Sequence, residues 1–281
     1  MTDTLPEVAA AEASPETKAI YEQIMTLTGV GSPALIYRHY AVFPGFLEWV
    51  WSVIGPELEN GYLVREAPAV IDRMAPIEIP KITQQNLSEC GLRTSDTEVL
   101  RAIFATYNRM NPVNLALNDA IRLMLGDNSN ATDETKPLPP AASVPPATTM
   151  KLPAPVKLDE MDRDLQDTIL DISRAIPNVN GIVIPTLYRH MAIWPDLMRQ
   201  TAPAIAAAIA SGAVNVQMER TKDAIAPLTH EVVGRARARD LGPAPIADPA
   251  KMVRTLDSFL ITIPQLIVVG NALEHSLKKE V

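Results

Sequence analysis

The chain has one cysteine, Cys90, in 281 residues. A lone thiol excludes an internal disulfide and a Cys-x-x-Cys redox pair, and it fits a reducing compartment. Basic clusters are missing: the formal net charge is −8, and no aromatic-basic stripe interrupts the acidic balance. Nucleic acid is therefore not an expected partner. The opening residues, Met1 to Glu7, carry neither a basic stretch nor an apolar run of the kind that begins a secretory leader. No uninterrupted apolar run reaches the ~18 residues that cross a bilayer. The longest candidate, Ala202 to Val214, is broken by Pro203, Ser211 and Gly212. The expectation is a cytoplasmic protein with no membrane partner.

The four histidines, His39, His190, His230 and His275, form no i,i+4 pair and have no carboxylate at ligand spacing, so no metal site is expected. Glycine-rich phosphate loops and the Gly-x-Ser-x-Gly elbow are also missing, and no cofactor is expected.

Hydrophobic residues at 47% and charged residues at 21% describe a chain with a substantial core. Its length points to two compact units. The strongest internal pattern is a repeat. Tyr37-Arg38-His39-Tyr40-Ala41 with Pro44 recurs as Tyr188-Arg189-His190-Met191-Ala192 with Pro195. Upstream, Ile20, Ile24 and Leu27 match Leu165, Ile169 and Ile172. Downstream, the run from Leu100 through Pro112 to Ile121 matches Met252 through Pro264 to Leu273. Three matches in one order predict a tandem duplication. The first repeat is placed at residues 1–131 and the second at 158–281. Between them, 132–157 reads as an extended linker, with prolines at 137, 139, 140, 145, 146, 153 and 155.

The local signals are helical. Ser14-Pro15 and Asp248-Pro249 place a capping residue before a first-turn proline. Ser95-Asp96-Thr97-Glu98 reads as a capping box ahead of Leu100, Ile103, Phe104 and Tyr107. No segment alternates with period two, and even Leu260–Val269 aligns with a helical run of the first half. The predicted fold is all-α, with the two repeats forming an intramolecular pseudo-dimer. Pro112 and Pro264 lie inside long apolar helices, where each frees a carbonyl four residues back.

Two constellations carry candidate chemistry. Arg38 and Arg189 follow proline-bearing turns at Pro33 and Pro185, which predicts helix starts nearby. Guanidinium groups beside such starts suit a small carboxylate, or they tie the repeats together structurally. The second is the polar run Tyr107-Asn108-Arg109-Met110-Asn111-Pro112-Val113-Asn114. Its counterpart, Phe259 to Leu266, reads as apolar. Buried asparagines need partners, which water, a substrate or freed backbone supplies.

At these residues the chain resembles the group I 2-haloacid dehalogenases, which act on both enantiomers of 2-haloalkanoic acids. The resemblance rests on the tandem units, the Tyr-Arg-His-x-Ala-x-x-Pro helix, the Asn-x-x-Asn segment and the long linker. It implies an all-helical pseudo-dimer with its site between the repeats, and hydrolysis by direct water attack with no ester intermediate. It assigns water positioning to Asn114, with Asn111 as the alternative. Ile36, Tyr37 and Arg38 would line the site from the first repeat. Thr186, Leu187, Tyr188, Arg189, Leu266 and Val269 would line it from the second. The family's water-activating aspartate aligns with Leu187, in a window from Ile184 to Arg189 that contains no acid. Asp196, Asp257 and Asp119 are the substitute carboxylates that the sequence offers. Alternatives are a family member that binds or acts on another small carboxylate, and a structural or interaction protein on the same scaffold. A more distant alternative is an alkylhydroperoxidase-like helical fold, without that family's cysteine pair. The small-carboxylate partner follows from the resemblance, and a homodimer of whole chains stays open.

Overall fold

A computed structural model describes residues 5–126, 136–142, 152–179 and 183–277. The first four residues, the boundary at 131/132 and linker prolines 145 and 146 lie outside the described residues. The described chain forms eleven α-helices, one short 3-10 turn and no strand, an all-α fold.

The first five helices are α1 (Pro15–Thr28), α2 (Leu35–Tyr40), α3 (Phe46–Asn60), α4 (Tyr62–Asp72) and α5 (Gln84–Glu89). The long α6 (Thr94–Leu125) follows. Then come α7 (Arg163–Arg174), α8 (Thr186–Met191), α9 (Pro195–Ala210), α10 (Ala213–Arg237) and α11 (Pro249–Ser276). The caps explain several starts. Ser14 Oγ accepts from the Thr17 amide at 3.2 Å, and Asp248 Oδ1 accepts from the Lys251 amide at 2.9 Å. The capping box before Leu100 sits two residues earlier than the sequence signal. Arg93 is the flanking residue, and its amide donates to Asp96 Oδ2 at 3.0 Å. Gly212, at φ 80°, turns the chain between α9 and α10, a conformation that disfavours a side chain.

The strand-like run Leu260–Val269 is helical, within α11. By length and composition α11 would pass as a membrane span, but 72% of its apolar window is buried inside the fold. Its neighbours explain that apolarity. It packs antiparallel to α6: Arg101 Nη2 donates to the Leu277 carbonyl at one end, and Arg122 lies 3.9 Å from Asp257 at the other. Pro112 and Pro264 are both buried inside these continuous helices.

The core has two parts, and both long helices run through both. The first gathers α1–α4, Met110–Ile121 of α6, Ile225–Ala236 of α10 and Met252–Ile267 of α11. The second gathers Leu87 of α5, Leu92, α7–α9, Leu100–Phe104 of α6, Val214 and Met218 of α10, Leu266–Leu273 of α11, and Leu277. Each part of the chain thus supplies a wall to the other part's core.

Candidate functional site at the crossing of the two long helices

Four asparagines, Asn108, Asn111, Asn114 and Asn118, recur at three- and four-residue steps on α6. That spacing puts them along one face of the helix. Two are tied to α2: Tyr37 donates its hydroxyl to Asn114 Oδ1 at 2.9 Å, and Tyr40 donates to Asn118 Oδ1 at 2.6 Å. Asn118 Nδ2 turns back to the Asn114 carbonyl at 2.6 Å. A similar tie joins α8 to α11, where Gln265 Nε2 donates to the Tyr188 hydroxyl at 3.0 Å. Both tyrosine–amide pairs are separated by 77 residues. Burial raises both phenols well above their ordinary pKa, so Tyr37 and Tyr188 are neutral hydrogen-bonding anchors. Gln265 corrects the expectation of a wholly apolar second-half segment.

Asn108 faces α11. Its Nδ2 donates to Glu274 Oε2 at 2.6 Å, while its Oδ1 is buried without a hydrogen-bond partner. That oxygen lies against Gly270: a Cβ added there would meet it at 2.6 Å and Leu187 Cδ2 at 3.7 Å. Leu187, fully buried, therefore borders the Asn108–Gly270 contact. Asn111 sits one turn from both Asn108 and Asn114. It is 6% exposed, and its Nδ2 is buried with no hydrogen-bond partner. A buried amide donor without an acceptor costs about 1–3 kcal/mol, so an acceptor from outside the protein is the expected complement.

The remaining predicted residues divide. Ile36 and Tyr37 belong to the first part of the core. Leu187, Tyr188, Leu266 and Val269 belong to the second, so Leu266 and Val269 share a core with Leu187 and not with Ile36. Thr186, the first residue of α8, is half-buried.

Arg38 and Arg189 lie in the last turn of α2 and α8, not at the helix starts. Both hold extended segments. Arg38 Nη1 pairs with Glu7 at 3.0 Å, and Arg189 Nε donates to the Val156 carbonyl at 2.9 Å. The Val8 and Val156 amides donate to the carbonyls of Arg38 and Arg189. The neighbouring histidines complete each strap. His39 Nδ1 contacts the Pro6 carbonyl at 2.7 Å, and His190 Nε2 the Pro153 carbonyl at 3.0 Å. A carbonyl only accepts, so these nitrogens carry the protons, and His190 Nδ1 accepts from the Tyr107 hydroxyl at 2.8 Å. Burial lowers the pKa of both imidazoles and favours this neutral form.

The substitute carboxylates lie elsewhere. Asp196 pairs with Arg199 at 3.1 Å, and Asp119 with Arg122 at 2.9 Å, while Asp257 is the more distant neighbour of Arg122. The carboxylate joined to the asparagine face is Glu274. Sequence reasoning missed it, although it follows Gly270 by one helical turn on α11. An open groove of about 480 Å³ lies near the start of α6, lined by Asp96, Val99, Leu152–Ala154, Ile193 and Trp194. It adjoins the second strap, about three turns of α6 from Asn108.

Gly270 supplies a direct check on this geometry. Alanine there gains about 1 kcal/mol of helix propensity but forces its methyl into Asn108, and overpacking costs about 1–3 kcal/mol. Gly270→Ala is expected to lower stability by up to about 2 kcal/mol in chemical denaturation. Asn108→Ala in the same chain should reverse that loss, because the clash is with the Asn108 side chain.

No family model and no curated protein matches the chain. Solved structures do. A D-2-haloacid dehalogenase mutant in complex with D-2-CPA superposes with TM-score 0.75 at 17% identity, covering 97% of this chain and 96% of that one. D-2-haloacid dehalogenase with L-LA gives 0.74 at 17% identity, with the same coverage. A further D-2-haloacid dehalogenase mutant gives 0.76 at 17% identity, covering 98% and 96%. From end to end, the fold of this chain resembles that of the D-2-haloacid dehalogenase structures.

Proposed function

We propose that the chain is a cytoplasmic protein that binds a small carboxylate between α6 and α11, on a dehalogenase-like scaffold. The observation that carries this reading is Asn111. Its buried Nδ2 has no acceptor within the protein, and it sits between two asparagines that are fixed by Tyr37 and Glu274. A carboxylate or carbonyl oxygen supplies that acceptor. Two of the structures with a similar fold are complexes with D-2-CPA and L-LA, which supports a small acid as ligand.

The test is thermal unfolding with 2-chloropropionate, lactate and propionate. A ligand at one hundred times its Kd adds about 2.7 kcal/mol, a rise on the order of 5 °C. Asn111→Leu, which removes the donor, is expected to abolish the rise. A wild-type protein whose melting temperature ignores all three acids contradicts the reading.

A second reading is hydrolytic dehalogenation by direct attack of water on the halogen-bearing carbon, favoured by the end-to-end fold likeness. It requires a base within hydrogen-bond reach of that water, and Leu187 cannot take a proton. Halide release from either enantiomer of 2-chloropropionate is accordingly expected to be undetectable. Turnover on the order of 10 per second would replace the binding reading with this one.

The chain is also proposed to be one helical unit used twice, at 1–131 and 158–281, with 132–157 joining them. The matching tyrosine–amide ties and the two Arg-His straps support this division. The family resemblance makes Asn114 the water-positioning residue, a role that its bond to Tyr37 would orient.

A further inference from the structure

We infer that Asn108 and Glu274 form a hydrogen-bond-accepting edge of this site, which selects 2-hydroxy carboxylates over 2-halo carboxylates. The inference rests on the small-carboxylate reading and adds the class of acid.

The argument is one of complementary donors and acceptors. Asn111 Nδ2 is a buried donor without a partner, one turn along α6 from Asn108. Asn108 Oδ1 is a buried acceptor without a partner. The orientation of that amide is set from outside, because a carboxylate accepts only from Nδ2, and Glu274 Oε2 holds Nδ2 at 2.6 Å. The oxygen is therefore kept turned inward, against Gly270 and towards Leu187. Half-buried Glu274 adds carboxylate oxygen beside it. The site thus offers one donor and, about 5–6 Å away along the helix face, an edge made only of acceptors.

A ligand that satisfies both ends carries an acceptor and a donor about two carbons apart. A carboxylate oxygen on Asn111 Nδ2 and a 2-hydroxyl donating to Asn108 Oδ1 or Glu274 meet that requirement. A 2-halogen has no proton to give. It offers nothing to the acceptor edge and would leave Asn108 Oδ1 unsatisfied. Leu187 provides an apolar wall for the remaining carbon of the acid. No bond is made or broken in this scheme.

Titration calorimetry with lactate, 2-chloropropionate and propionate tests the inference. Hydrogen bonds to charged groups are among the stronger ones, so wild-type protein is expected to bind lactate about tenfold more tightly than 2-chloropropionate. Glu274→Ala should bring the lactate affinity close to that of 2-chloropropionate. Equal affinities for the two acids in wild-type protein would overturn the selectivity and leave the binding reading intact. A Glu274→Ala variant that weakens both acids equally would also overturn it. Absence of binding by all three acids would instead remove the binding reading, and the selectivity with it. The wild-type ratio needs no variant, so the inference stays testable if Glu274→Ala fails to fold.

Discussion

Glu57→Gln is expected to lower the unfolding free energy by about 3–5 kcal/mol, the largest loss from any single substitution considered for this fold. Glu57 on α3 and Arg235 on α10 form a two-pronged pair, with Arg235 Nε 2.9 Å from Oε1 and Nη2 2.7 Å from Oε2. Their side chains are 2% and 10% exposed. Charges so placed have given up most of their hydration, and each is tolerable only beside the other. Glutamine keeps the shape but removes the countercharge. The remaining acid near Arg235 is Glu231, at 3.6 Å from Nη1, an atom that makes no hydrogen bond. Urea or guanidinium denaturation reads the loss. The double variant Glu57→Leu with Arg235→Met should recover most of it, since apolar side chains of similar size often replace such a pair at no cost. A loss below about 1 kcal/mol for Glu57→Gln would mean that water reaches the pair.

The second large effect concerns the chain cut between residues 131 and 132. Neither fragment is expected to fold alone, and an equimolar mixture is expected to restore one cooperative transition. The first part of the core includes Ile225, Leu228, Val232, Val233, Met252, Leu256, Ile263 and Ile267 from the far side of the cut. At about 1.5–3 kcal/mol for each buried side chain, their absence is as large as the 5–15 kcal/mol by which a domain is usually stable, or larger. The later fragment loses Leu87, Leu92, Leu100, Ile103 and Phe104 in the same way. Circular dichroism melts of each fragment and of the mixture decide the matter. A sharp transition in either fragment alone would contradict the shared core.

Sequence reading reached the helical class because the caps at Ser14 and Asp248 and the apolar spacing are local signals, and they act locally here. It did not reach the shared core. Periodicity identifies which face of α6 or α11 is apolar, but carries nothing about which half of the chain covers it. The guanidinium groups of Arg38 and Arg189 were legible as anion or scaffold residues, and their partners were not. Arg189 holds the carbonyl of Val156, and the adjoining His39 and His190 hold those of Pro6 and Pro153, all backbone that any side chain could carry. Gln265 escaped for a different reason. Pairing the halves on Pro112 and Pro264 sets it beside Val113, whereas pairing them on Tyr37 and Tyr188 sets it beside Asn114. One residue of register separates a polar anchor from an apolar wall. Asn111 and Asn114 were legible as candidates from residue type alone. Glu274 was not, because nothing in the sequence links it to Asn108 until α6 and α11 are laid side by side.

The path of α6 and α11 through both parts of the core also bears on how the molecule can move. Two lobes joined by a thin connection open like a book, and ligands enter as the covers part. Here each cover contains half of the other's spine. Parting them would drag α6 along α11 through a full length of interlocked side chains, a sliding motion that packed helices permit over only small distances. The six-residue helices α2 and α8, each fastened by a strap, are the short elements beside this interlocked pair.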